Sequence, residues 1–138
     1  MAFRSKFEES ISRELTNMGV AFEYESLLVP YTKPQRLTKR VKELHGLPGD
    51  FVSIGYFSYL VDFSLPNGVC IETKGRFTAS DRTKMIAVAQ QNPHLKIKML
   101  FQRDQRIHSG SSTFYSDWCK AHGIDYAISH VPERWLNE

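Results

Sequence analysis

Phe7, Ile11, Leu15 and Met18 recur every three to four positions, which predicts an amphipathic helix that Gly19 closes. Ser5-Lys6-Phe7-Glu8 in front of it has the form of a capping box. From Val20 to Val29 the period drops to two, with Phe22 and Tyr24 alternating against Glu23 and Glu25, and Pro30 and Pro34 should end that strand. Gln35 to Gly49 reads as a short helix with Leu37, Val41 and Leu44 on one side, closed by Gly46 and Pro48. Phe51 to Val61, aromatic and β-branched, predicts a strand leading into Asp62. Two short strands then flank the turn Pro66-Asn67-Gly68, with Asp62 on the first and Glu72 and Lys74 on the second. A loop, Arg76 to Ser80, precedes a helix capped by Ser80 or Asp81 and running to Gln91, where Asn92-Pro93 stops it. Lys96 to Phe101 ends almost wholly apolar and predicts a central strand. After the polar stretch Arg103 to Ser112 comes a helix opened by Ser112 or Thr113 and closed by Gly123. A strand from Ile124 to Ala127 and a turn around Pro132-Glu133-Arg134-Trp135 complete the chain. This order describes a mixed α/β domain.

The 138 residues suit one domain, and a hydrophobic content of 41% with 24% charged residues is ordinary for a globular protein. Apolar runs are too short to span a bilayer, and the opening Met1-Ala2-Phe3-Arg4 does not have the form of a signal peptide. Cys70 and Cys119 have no Cys-x-x-Cys partner and the five histidines are scattered, so no zinc motif is present and a reducing compartment is expected. Net charge is only +3, but Lys33, Arg36, Lys39, Arg40 and Lys42 stand against Glu43 alone, a local balance of +4 that leaves the rest slightly acidic. Such a block is either a solvated helix face or a phosphate contact.

The candidate chemistry lies in the hairpin. Side chains alternate along a strand, so Glu72 and Lys74 share one face while Thr73 points opposite, and a tight turn brings Asp62 near them. Two carboxylates and an ammonium at one spot can hold a divalent cation and manage a water nucleophile, as metal-assisted phosphodiester hydrolysis requires. Taken alone, Glu-x-Lys on an amphipathic strand is usually just its wet face. Glu8 is open to two readings, capping-box partner or further acid of a metal site. Asp81 reads first as a residue favoured by a helix dipole, with support of catalysis as the lesser reading. Ser109 to Ser112 is either a backbone phosphate cradle or a plain loop. Trp118 and Trp135, among apolar neighbours, read as core.

Read in order, Ala2-Phe3-Arg4-Ser5 with Glu8, Phe22-Glu23-Tyr24-Glu25, Val29-Pro30-Tyr31, Asp62-Phe63, Leu65-Pro66-Asn67-Gly68 and Glu72-Thr73-Lys74-Gly75 resemble phage endonuclease I. That family of Holliday-junction resolvases belongs to the PD-(D/E)xK nuclease superfamily. The likeness continues through Ser80-Asp81-Arg82, Gly110-Ser111-Ser112-Thr113, Cys119-Lys120-Ala121-His122-Gly123-Ile124 and Pro132-Glu133-Arg134-Trp135. It implies a restriction-endonuclease-like mixed sheet flanked by helices, in an intertwined, domain-swapped homodimer. It also implies a catalytic set of Glu8, Asp62, Glu72 and Lys74, with Glu8 arriving from the other chain. Magnesium or manganese, two per site, would be held by Asp62, Glu72 and Glu8, and Lys74 would polarise the attacking water. The implied substrate is branched DNA, cut by paired nicks at a four-way junction in the cytoplasm of a phage-infected bacterial host, with no membrane partner.

Residues 1–138 then form a single nuclease domain. Its departure from the family is a longer connection between Tyr31 and Asp62, a basic insertion or bridge at about 32–58. Arg4, Lys33, Arg36, Lys39, Arg40, Lys42 and Arg76 are the expected DNA contacts. Two rival readings stay open: a PD-(D/E)xK endonuclease acting on linear or single-stranded DNA, and a DNA-junction-binding module without catalysis.

Overall fold

Ser5 caps the first helix, α1 (Lys6–Asn17), by accepting a hydrogen bond from the Glu8 amide. The molecule is described from a computed structural model that covers residues 2–138, leaving aside the side chains of residues 34, 35 and 52–54. Ile11 and Leu15 are fully buried on the inner face of α1, whereas Met18 lies past the helix end and is exposed.

The expected strand Val20 to Val29 is two strands. β1 (Glu23–Tyr24) ends at Glu25, whose left-handed φ of 50° turns the chain into β2 (Leu28–Arg36). Pro30 and Pro34 lie inside β2 and do not end it. β2 pairs antiparallel with β3 (Phe51–Leu60) as an isolated two-stranded ribbon. Both edges of such a ribbon are open, so a proline whose nitrogen faces outward costs no ladder bond. At the far end sits α2 (Lys39–His45), shorter than expected, capped by Thr38 and by left-handed Gly46, with no buried residue. The insertion is therefore a hairpin carrying a helix at its tip. Its root is tied down: Val29, Tyr31 and Tyr59 enter the core, and Gln91 exchanges hydrogen bonds with Thr32 of 2.7 Å each way.

The main sheet has the order β1-β4-β5-β6-β7. β4 (Phe63–Ser64) and β5 (Val69–Lys74) form the expected hairpin, with Gly68 at φ 89° in the turn. β6 (Lys96–Phe101) and β7 (Asp125–Ile128) continue parallel to β5, connected by α3 (Ala79–Gln91) and α4 (Tyr115–His122). This is a mixed five-stranded sheet flanked by helices. Neighbouring residues on the central strands serve opposite faces. Cys70 and Met99 pack into a core with Phe77, Met85 and Trp118, while Ile71 and Leu100 pack with Ile11, Leu15 and Trp135. Both tryptophans are core residues, as their neighbours suggested.

β5 is therefore covered on both sides, and no face of it is wet: Glu72 and Thr73 are as buried as the apolar residues around them. The chain end closes over the second core as a 3-10 turn, Glu133–Asn137. There buried Lys98 pairs with Asp125 and Glu138, and the Trp135 indole donates to Asp125. Among the described residues no helix is long and apolar enough to cross a membrane.

Candidate active site

Asp62 sits at the bend between β3 and β4 and not on a strand. Continuing the β4–β5 register by one pair sets it beside Glu72. One oxygen of its carboxylate, Oδ2, accepts hydrogen bonds from the Thr73 amide and hydroxyl, both 2.9 Å. Thr73, which alternation alone had pointing away from the site, is the residue that fixes the Asp62 carboxylate. Glu72 is 3% exposed. Burial pushes its carboxyl well above the usual range and the neighbouring Asp62 raises it further, against a smaller opposing pull from the ammonium groups of Lys74 and Lys84. The protein thus disfavours the charged form of Glu72, with only Lys74 and Lys84 opposing that trend.

Tyr59, on β3, completes this side. Its hydroxyl is buried without a hydrogen-bond partner, and its ring lies 5.3 Å below the Lys84 ammonium. Burial, together with the charges of Glu72 and Asp62, holds the phenol protonated far above its ordinary range.

On the other side of Asp62 lies a second acid group. Carboxylate oxygens of Glu8, Glu25 and Asp62 all fall within 4.8 Å of one another. The two readings of Glu8 separate here. Only half of the capping box forms, because the Ser5 hydroxyl accepts from the Glu8 amide while the Glu8 carboxylate accepts from the Tyr24 hydroxyl and the Ser5 hydroxyl. Its carboxylate lies within 4.8 Å of those of Asp62 and Glu25 while also accepting from the N-cap hydroxyl. Glu25 reaches the same place through its left-handed backbone, and its amide donates to the Asp62 carbonyl at 3.0 Å. The alternating Phe22-Glu23-Tyr24-Glu25 pattern contains no signal for this, since it assigns both glutamates to one strand face. This juxtaposition of Glu8 with Asp62 is made within one chain.

Lys74 follows on the Glu72 face and pairs with Asp81 at 3.3 Å. Asp81 is the third residue of α3, where it forms a complete capping box with Thr78. Burial would raise its carboxyl, but the Thr78 amide, the Lys74 charge and the Thr78 hydroxyl outweigh it and hold the group below the usual range. Asp81 therefore both caps α3 and forms an ion pair with Lys74. Asp81→Ala is expected to cost about 1 kcal/mol of stability through the lost cap. It should also slow DNA cleavage by roughly 10- to 100-fold through an unanchored Lys74, an amount typical of lost positioning. Thermal unfolding and single-turnover cleavage measure the two effects, and an unchanged cleavage rate would leave Asp81 a cap only.

The expected DNA contacts divide into separate places. Arg4 pairs with Glu25 at 2.6 Å, at the mouth of the acid group. Arg76 is exposed just beyond Lys74 and has no ion-pair partner among the described residues. Lys33, Arg36, Lys39, Arg40 and Lys42 all ride on the ribbon and α2. At about 3.3 Å per residue, the ribbon carries Lys33 roughly 16 Å and Arg36 roughly 26 Å along from its root at Leu28↔Leu60, with α2 beyond. Several are already engaged: Lys33 over the Phe57 ring, Lys39 with Glu43, and Lys42 with Asp50. The +4 block is thus partly neutralised in place, by an aspartate just outside the stretch counted.

The donors around Asp62 are all hard carboxylate oxygens, the set that suits magnesium or manganese. A family model described as phage endonuclease I matches residues 51–138. The chain is 34% identical over 138 residues to Endonuclease I of Escherichia phage T7, an alignment covering 99% of this chain and 80% of the relative. It is likewise 34% identical over 138 residues to Endodeoxyribonuclease 1 of Enterobacteria phage T3, covering 99% and 78%.

Proposed function

The chain belongs to the phage endonuclease I family, and from that premise we propose that it is a magnesium- or manganese-dependent endodeoxyribonuclease that resolves four-way and other branched DNA junctions by paired nicks. The observation that carries the chemical part is the position of Asp62, shared between Glu72 on one side and Glu8 with Glu25 on the other. Carboxylates gathered this closely, one of them buried, suit divalent cations. Asp62 and Glu72 would hold one, and Asp62 with Glu8, assisted by Glu25, a second. Bound there, such ions supply positive charge to the scissile phosphate and a water acidic enough to attack it.

The chain's own residues do the rest. Thr73 keeps the shared carboxylate oriented at no further entropic cost. Lys74, aimed by Asp81, holds the attacking water and offsets charge on the pentavalent phosphorus. The buried Tyr59 hydroxyl offers a proton donor beside Glu72. Arg4, beside Glu25, and Arg76, two residues past Lys74, would receive backbone phosphates.

Junction selectivity follows from shape, since a resolvase acts irrespective of base sequence. Two sites on one homodimer, set at a fixed angle, fit a branched molecule and not a linear duplex. In support of a dimer, the ribbon exposes Leu28, Phe51 and Tyr56 beyond what a lone surface requires. Exchange of segments about the Glu25 turn would bring together the same residues that one chain does, in the infected host's cytoplasm. The decisive experiment compares magnesium-dependent cleavage of a synthetic four-way junction with cleavage of a linear duplex built from the same arms, with Lys74→Ala as control. Preferential, paired nicking of the junction is expected. Equal cutting of both substrates would reject the resolvase reading in favour of a linear-duplex endonuclease, and junction binding without cutting would favour a binding module.

A further inference from the structure

β5 and β6 are parallel and end level with each other, Lys74 beside Phe101. The crevice outside the carboxyl ends of parallel strands is where α/β proteins place ligands. Here two chain exits run together out of that edge. The Gln102 amide donates to the Lys74 carbonyl at 3.0 Å, and the Gln105 side chain donates to the Gly75 carbonyl at 3.3 Å. Residues 102–106 therefore lie alongside 74–76, immediately beyond Glu72 and Lys74.

The loop that begins there is held closed. Arg106 bridges to Phe114, the Ile107 amide donates to Thr113, and the Tyr115 amide donates to Gln105. From beneath, the Arg82 guanidinium donates to the Phe77 carbonyl at 2.7 Å and to the Ile107 carbonyl at 3.4 Å. Its only acid, Asp104, is turned to the start of α4, where it accepts from the Ser116 amide and hydroxyl. Arg103 and Arg106 are left exposed, with no ion-pair partner among the described residues, on either side of that occupied aspartate. With Arg76 they make three unpaired guanidinium groups on two adjoining exits. Most other described arginines are engaged, Arg4 with Glu25, Arg13 with Glu9 and Arg134 with Asp125. Guanidinium groups without carboxylate partners, on a backbone already ordered, suit phosphate oxygens with little ordering left to do.

We infer that Arg103 and Arg106, together with Arg76, form a DNA-phosphate contact surface that grips the duplex on the Lys74 side of the scissile bond. This rests on the DNA-cleaving function proposed above and assigns that function a binding surface separate from the ribbon. In the Ser109 to Ser112 stretch the Ser111 amide donates to the His108 carbonyl and its hydroxyl accepts from the Thr113 amide, so the Ser111 amide is engaged.

The test measures binding of the four-way junction in the absence of divalent metal, across a range of salt, for the parent, for Arg103→Gln/Arg106→Gln, and for Lys96→Gln/Arg134→Gln. The last pair removes the same charge at the opposite end of the sheet, where Lys96 opens β6 and Arg134 meets the first residue of β7. Two lost phosphate contacts should flatten the log–log salt slope by about 1.8 for the loop variant, since each contributes about 0.9. The control variant should keep the parent slope. A loop variant whose slope matches the parent, or a control that flattens equally, overturns the inference while leaving the nuclease reading intact. A parent that binds no DNA at all would instead sink the proposed function, and this surface with it.

Discussion

Asp62→Asn is expected to slow metal-dependent DNA cleavage by at least about a thousandfold, with junction binding retained. Asp62 is the carboxylate common to both acid groups, so one substitution would weaken both proposed cation positions at once. Losing transition-state charge stabilisation of this kind costs several kcal/mol, and a thousandfold corresponds to about 4 kcal/mol. Folding should survive, because an asparagine carbonyl oxygen can still accept from the Thr73 amide and hydroxyl, as Oδ2 does. Binding should hold or tighten, because the change removes negative charge facing the phosphate backbone. Single-turnover cleavage and metal-free gel-shift binding measure the two quantities. A rate within tenfold of the parent would remove Asp62 from the centre of the site.

Glu72→Gln should disable cleavage comparably and yet stabilise the metal-free protein at neutral pH. Burial and the adjacent Asp62 raise the Glu72 carboxyl above its ordinary 4.5 in the folded state. An acid whose folded value is raised adds stability that is complete below the unfolded value. That stability is lost as pH climbs through the folded one, since the native state holds the proton more tightly. The metal-free parent should therefore lose stability as pH rises from about 4.5, and the glutamine variant should not lose this share. Relief of such a site is worth about 0.5–2 kcal/mol, or a rise in Tm of roughly 2–6 °C near pH 8 for a domain of this size. Thermal unfolding in chelator at pH 5 and pH 8 provides the comparison. Added manganese should stabilise the parent more than the variant, because a ligand that binds only the native state adds stability by mass action. A variant less stable than the parent at pH 8 in chelator would mean that Glu72 is well compensated by the protein, and the case for cations at this place would weaken.

These two expectations belong to one physical situation. Residues proposed to hold cations would be a liability to the fold without them, and the surrounding chain holds them in place by burial. Lys74 and Lys84 relieve part of the strain at Glu72, but Lys74 is itself drawn toward Asp81. A site arranged this way is stable only because the two apolar cores on either side of β5 outweigh it.

Much of this was legible along the chain. Helical spacing located α1, α3 and α4, and the Pro-Asn-Gly turn located the β4–β5 hairpin and put Glu72 beside Lys74, because each depends on neighbours within a few residues. Local pattern determined which side chains could meet on one strand. It did not determine what lay across the strand, and the errors share that cause. Thr73 was placed away from the site because alternation describes a flat strand, whereas Asp62 sits at a bend and reaches around to it. Pro30 and Pro34 read as stops because a proline is judged against a sheet interior, and β2 turned out to have open edges. Glu23 and Glu25 looked equivalent until one left-handed residue sent them to different neighbours. Glu8 and Asp81 each carried a sufficient local explanation as helix-end residues, and only the packing of α1 and α3 against the sheet gave them Asp62 and Lys74 to face. Sequence determined the elements and the family, because those are set by short-range periodicity and by ordered motifs. Tertiary structure alone decided which carboxylates share a cation-sized space, because that depends on distances between residues as much as 54 positions apart along the chain, from Glu8 to Asp62.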